Sequence, residues 1–128
     1  MEYTLETLEV YKLAEELSDK IWNIVVKWDY LLRKDLGSQL TSAADSVSAN
    51  IAEGYGRHYY GESKNFYFYA RGSLLETKSW LGKCKRRKII DEEQCDKLLN
   101  DVELIMAKLI NYIKFVQKSQ SKTQAKKK

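Results

Sequence analysis

The chain has no proline among its 128 residues, six glycines, two cysteines and one histidine. Loop-rich β folds draw their turns from glycine and proline, so this composition argues against one. It favours long helices, because a proline inside a helix costs roughly 3 kcal/mol. No run is long and apolar enough to cross a bilayer, which takes about 20 residues. Glu2, Glu6 and Glu9 stand where a secretory signal would be basic and then apolar, so a cytoplasmic location is expected. Cys84 and Cys95 suit that setting as reduced, small core residues. With His58 they are too few for a zinc site, and neither a metal nor a cofactor is expected.

What is present is amphipathic. Hydrophobic residues make up 44% and charged residues 31% of the chain, enough for one packed domain. Val10, Ala14, Leu17, Ile21, Ile24 and Trp28 recur at alternating spacings of four and three, one face of a bundled helix. A second helix carries Leu36, Leu40, Ala43, Val47 and Ile51, with Asp35 as its expected N-cap and an end near Gly54 and Gly56. A third is expected to open at Ser63, with Phe66, Ala70, Ser73, Thr77, Leu81 and Cys84 inward. Asp91 and Gln94 form a capping-box pattern before the fourth, whose seam is Cys95, Leu98, Val102, Ile105, Leu109, Tyr112 and Val116. The expected fold is an all-α, up-down-up-down antiparallel four-helix bundle over 1–117. From 118 the chain is Ser, Gln, Thr and Lys apart from Ala125, and is expected to be a disordered basic tail.

The centre of the chain carries a more specific signal. Ser46-Val47-Ser48-Ala49-Asn50-Ile51-Ala52-Glu53-Gly54-Tyr55-Gly56-Arg57 resembles the signature of a bacterial four-helix-bundle family. That family is named after proteins encoded in intervening sequences of large-subunit ribosomal RNA genes, and is sometimes labelled ribosomal-protein-like. Leu8 to Ala14, Leu36 to Leu40, and Phe66, Ala70, Gly72-Ser73 and Glu76 are similar to further motifs of the family. Ser48 departs from the pattern, where members often carry proline. The resemblance implies a ring-like homopentamer, no known catalysis and suspected nucleic-acid binding. A related accessory protein of diversity-generating retroelements binds nucleic acid and a reverse transcriptase.

Charge is segregated along the chain. Residues 1–56 hold 5 basic and 10 acidic side chains, residues 57–88 hold 9 and 2, and residues 89–117 hold 3 and 6. Arg57, Lys64, Arg71, Lys78 and Lys85 recur every seven residues, so the last four form one stripe on a helix. With Arg86, Arg87 and Lys88 they form the candidate RNA- or DNA-binding set. Neutralising about four phosphates would give a salt slope near −3.6. The alternative is a solvated or ion-paired face on a protein-interaction scaffold, and the residues leave both readings open.

Phe66, Tyr67, Phe68 and Tyr69 are consecutive and cover every side of a helix, so one core cannot take them all. Phe66 and Tyr69 are expected inward. Trp22, Tyr55, Tyr59, Tyr67, Phe68 and Trp80 are expected at an interface between copies of the chain. Asn50, Glu53 and Glu76 are expected to form a structural polar network, with Glu53 paired to Arg57 or Arg71. Catalysis by Glu53 and Glu76 would need a cleft that nothing in the sequence indicates, so no enzyme is expected.

Overall fold

The computed structural model describes residues 4–127, and side chains as far as Ser119. After a single 3₁₀ turn, Leu5–Thr7, helix α1 spans Glu9–Val25. Helix α2 covers residues 30–55: a first turn Tyr30–Leu32, a π-helical segment Arg33–Gly37, and the α-helical Ser38–Tyr55. Helix α3 spans Tyr60–Arg86 and α4 spans Glu92–Lys127. No strand occurs among the described residues.

Paired side chains fix the topology. Between α1 and α2, Glu15 accepts a hydrogen bond from Ser48, and Asp45 accepts one from Ser18. Between α1 and α4, Glu9 meets Lys108 and Lys20 meets Asp101. Between α3 and α4, Lys78 meets Glu103 and Lys85 meets Asp96. In each pair of helices the partner's number falls as the first rises, so these neighbours run antiparallel. α2 also packs on α3, which closes the four-helix bundle.

The core follows the expected seams in α1, α2 and α4. Val10, Ala14, Leu17 and Ile21 are buried, as are Leu36, Leu40, Ala43, Val47 and Ile51, and Cys95, Leu98, Val102, Ile105 and Leu109. The seams drift slightly at their ends. Val25 is buried where Ile24 was expected, Trp28 is partly buried, and Ile113 joins Tyr112 at the far end.

The third seam differs. Its buried residues are Ser63, Tyr67, Ala70, Leu74, Thr77, Leu81 and Cys84, so Tyr67 and Leu74 take the places expected for Phe66 and Ser73. Tyr67 is 2% exposed and Tyr69 is 58% exposed. The Tyr67 ring lies edge-on to Tyr112, with centroids 5.3 Å apart and hydroxyls 3.4 Å apart. Gly54 admits that ring: a β-carbon there would stand 2.4 Å from Tyr67 Cε1. This clearance, rather than a left-handed turn, is what requires glycine at 54.

The helix starts also move. Asp29, not Asp35, caps α2, accepting from the Leu32 N–H at 3.1 Å. Asp35 falls inside the π segment. α3 opens at Tyr60, ahead of Ser63, whose hydroxyl donates back to the Tyr59 carbonyl. Asp91 caps α4 as expected, accepting from the Gln94 N–H at 3.3 Å. The segment from 118, expected as a disordered tail, continues the α4 backbone to Lys127, and its side chains from 120 on lie outside the described residues.

Candidate nucleic-acid interface

Lys64, Arg71, Lys78 and Lys85 recur at seven-residue spacing along α3, and the last two face α4. Both are answered from that helix. Lys78 Nζ lies 2.8 Å from Glu103 and Lys85 Nζ 2.6 Å from Asp96. Asp96 holds the Lys85 proton and raises its pKa. Arg57 sits in the α2–α3 connection, 3.5 Å from Glu53 and 4.8 Å over the Phe66 ring. The five other cations of the set, Lys64, Arg71, Arg86, Arg87 and Lys88, have no ion pair among the described residues. All five are exposed. The set is thus strung over roughly 40 Å, the length of α3, rather than gathered in one pocket.

The end of α3 has a specific backbone geometry. The Ile89 N–H donates to the Cys84 carbonyl at 2.9 Å, and the Lys88 N–H to the Lys85 carbonyl at 3.1 Å. This is the helix-ending motif that favours a left-handed residue, normally glycine. Lys88 occupies that position with φ 58°. The turn drives Ile89 and Ile90 back into the bundle and leaves Arg86, Arg87 and Lys88 outside.

The expected interface residues divide. Trp22, Tyr55, Tyr59 and Phe68 are exposed. Tyr67 belongs to the core and is removed from that set. Trp80 is half-buried against the core, its indole N–H 3.4 Å from Glu76 and Lys83 stacked 4.9 Å from its ring. Sequence reasoning missed Leu75, which lies seven residues from Phe68 on the outer face of α3 and is also exposed.

The expected polar network is not one cluster. Asn50 donates to the Ser46 carbonyl, Glu53 pairs with Arg57, and Glu76 takes the Trp80 indole. Each is held by its own helix or the turn beside it. His58 stacks edge-on against Tyr59. Cys84 and Cys95 are free and buried, and Cys95 Sγ lies 3.1 Å from the Leu81 carbonyl. Burial pushes the Cys84 thiol up to about 11 and raises that of Cys95 as well. No group of three or more His, Cys, Asp or Glu side chains suited to a metal occurs among the described residues. None of their helices is long and apolar enough to cross a membrane.

A separate concavity lies away from this edge. A cleft of about 600 Å³ opens between the end of α1, the start of α4 and the 87–91 turn. The sequence held one trace of it. Trp28 is a large ring at the very end of a seam, beside a charged turn.

The family model described as 23S rRNA-intervening sequence protein matches residues 6–111. Among solved structures, the chain is similar to a protein of unknown function from the S23 ribosomal protein family of Bacteroides thetaiotaomicron VPI-5482. The TM-score is 0.73 and the identity 25%, over 82% of this chain and 98% of that one. No curated protein matches. The chain belongs to the 23S rRNA-intervening sequence protein family.

Proposed function

We propose that this member of the family is a non-enzymatic, cytoplasmic, homo-oligomeric bundle that binds RNA or DNA along the α3 edge. The observation that carries the reading is the set of unanswered cations. Where α4 supplies Glu103 and Asp96, the α3 lysines are neutralised; Lys64, Arg71 and Arg86 to Lys88 are left for an outside anion. Phosphates are the natural partner of such a line, and repetition around a ring such as a homopentamer would multiply it. The exposed Trp22, Phe68 and Leu75 supply apolar surface for contacts between copies.

Filter binding at about 50 and 200 mM salt tests the reading. The expected result is salt-sensitive retention of RNA or DNA that falls when Arg71 and Arg86 are reversed to glutamate. Reversal of the paired Lys78 should matter less. Absence of binding, or binding indifferent to both the salt and the Arg71 and Arg86 changes, would overturn it.

A second reading has its own support. Phe68 and Leu75 lie on the same outward face of α3, and two lysines of the stripe are already satisfied within the chain. That fits a scaffold for a protein partner. Purification of the chain from its host with nuclease treatment separates the two, since a partner retained after digestion favours the scaffold.

A further inference from the structure

We propose that the cleft between α1, α4 and the 87–91 turn is a nucleotide pocket, with a base stacked on Trp28 and its phosphate held by Lys27 and Lys97. As a strand-binding pocket it rests on the nucleic-acid reading above; as a pocket for a free nucleotide it stands alone.

Two carboxylates line the cleft, and both are engaged. Asp101 holds Lys20 at 3.0 Å, and Asp91 caps α4 through the Gln94 N–H. Two cations remain. Lys27 has no ion pair among the described residues, and Lys97 has only a 3.7 Å contact with Glu93 in which both side chains are largely exposed. Exposed pairs of this kind exchange easily for a better anion. The side-chain amides of Asn23 and Gln94 and the Trp28 indole N–H have no partner among the described residues. The free groups are therefore cations, amides and an aromatic ring over an apolar floor that includes Ile24, Ile90 and Leu98.

That inventory matches one ligand chemistry. Aromatic side chains stack bases without regard to sequence. Asn and Gln amides pair with base edges, which carry a donor and an acceptor side by side. Lysines at the mouth take the phosphate. The volume falls within the usual range of small-molecule sites, roughly 300–1,000 Å³. Two backbone features shape the site. Gly37 in the π segment lies against Trp28, where a β-carbon would approach Cε3 to 3.3 Å and Val25 Cγ1 to 2.7 Å. A side chain at 37 would shift the ring. The left-handed Lys88 turns Ile89 and Ile90 into the wall.

The test uses the full chain with two probes: a short fluorescent oligouridine followed by anisotropy, and AMP followed by calorimetry. Lys27→Glu and Gln94→Glu place negative charge in the cleft. Gln94→Glu also supplies the acidic residue that a capping box favours three positions after the cap, so α4 is retained. Trp28→Leu removes the ring, with circular dichroism as the check on folding. Each change should weaken binding by about tenfold or more, the loss of one stacked base or one phosphate contact. Loss of oligouridine binding alone identifies a strand as the source of the nucleotide. Loss of AMP binding in a chain that never bound oligouridine supports the pocket for a free nucleotide and rules out a strand as its source. Oligouridine binding unchanged by both glutamate variants overturns the pocket and leaves the broader reading intact. Failure to bind either probe overturns the pocket, and the filter-binding test above decides the broader reading on its own.

Discussion

Two residues carry more of the local geometry than their types suggest. Gly54 is a space left for Tyr67. Gly54→Ala puts a methyl 2.4 Å from the ring, in a core with no room to yield. It is expected to destabilise the fold by about 1–3 kcal/mol, read as a lower urea midpoint at unchanged slope. Lys88 is the opposite case, a side chain in a backbone conformation that glycine adopts freely. Lys88→Gly should stabilise the fold by about 1 kcal/mol and raise the melting temperature by a few degrees. The same change removes one of the unpaired cations of the proposed nucleic-acid set, so RNA or DNA binding should weaken. Neither role was legible beforehand. The Gly54-Tyr55-Gly56 pattern marked a helix end, but nothing in it named the ring that Gly54 faces. The basic run Lys85 to Lys88 read as charge, and its left-handed turn depends on where Ile89 is pulled.

At the scale of helices, α1, α2 and α4 were readable because polar residues phase their seams. α3 was not, over one stretch. Phe66, Tyr67, Phe68 and Tyr69 present an apolar ring in every direction, so the local pattern does not say which one points inward. The phase comes from Thr77, Leu81 and Cys84 further along, and from the gap at Gly54. The α3–α4 seam also gathers groups that resist ionisation. Burial raises the pKa of Cys84, Cys95, Tyr67 and Tyr112 alike, most strongly for Tyr67. For an acid whose folded pKa is raised, the folded state keeps a proton that the unfolded chain releases. Stability is then unaffected below the unfolded value and falls as pH climbs above it. For Cys84 that window runs from about 9 to about 11. The urea midpoint should therefore decline across it, and less steeply in a Cys84→Ala variant compared with its own neutral-pH value. Of the cross-helix ion pairs of the same seam, Lys78–Glu103 is exposed and Lys85–Asp96 is half-buried. Lys78→Gln should change stability by no more than about 0.5 kcal/mol.

The whole molecule adds what no single stretch contains. The bundle topology was foreseeable from four amphipathic segments and short connections. The cleft was not, because its walls come from the end of α1, the start of α4 and a turn roughly sixty residues from Trp28 in sequence. The basic stripe was foreseen as a line, but its division into answered and unanswered charges depends on which helix packs beside it. Surface left over at this scale is expected to join copies of the chain. Light scattering at micromolar concentration should give a mass several times 15.0 kDa. Trp22→Lys and Phe68→Lys, on different helices, should shift it toward the monomer, and a monomeric parent chain would remove the ring from consideration.

The contact between Gly54 and Tyr67 also reaches beyond this one chain. It joins two positions through a single volume, so neither is free to vary alone. Across relatives, a smaller residue at the position of Tyr67 should release the glycine requirement at 54, and a bulky ring should restore it. The two columns of an alignment would then change together, though they stand thirteen positions apart, across a loop.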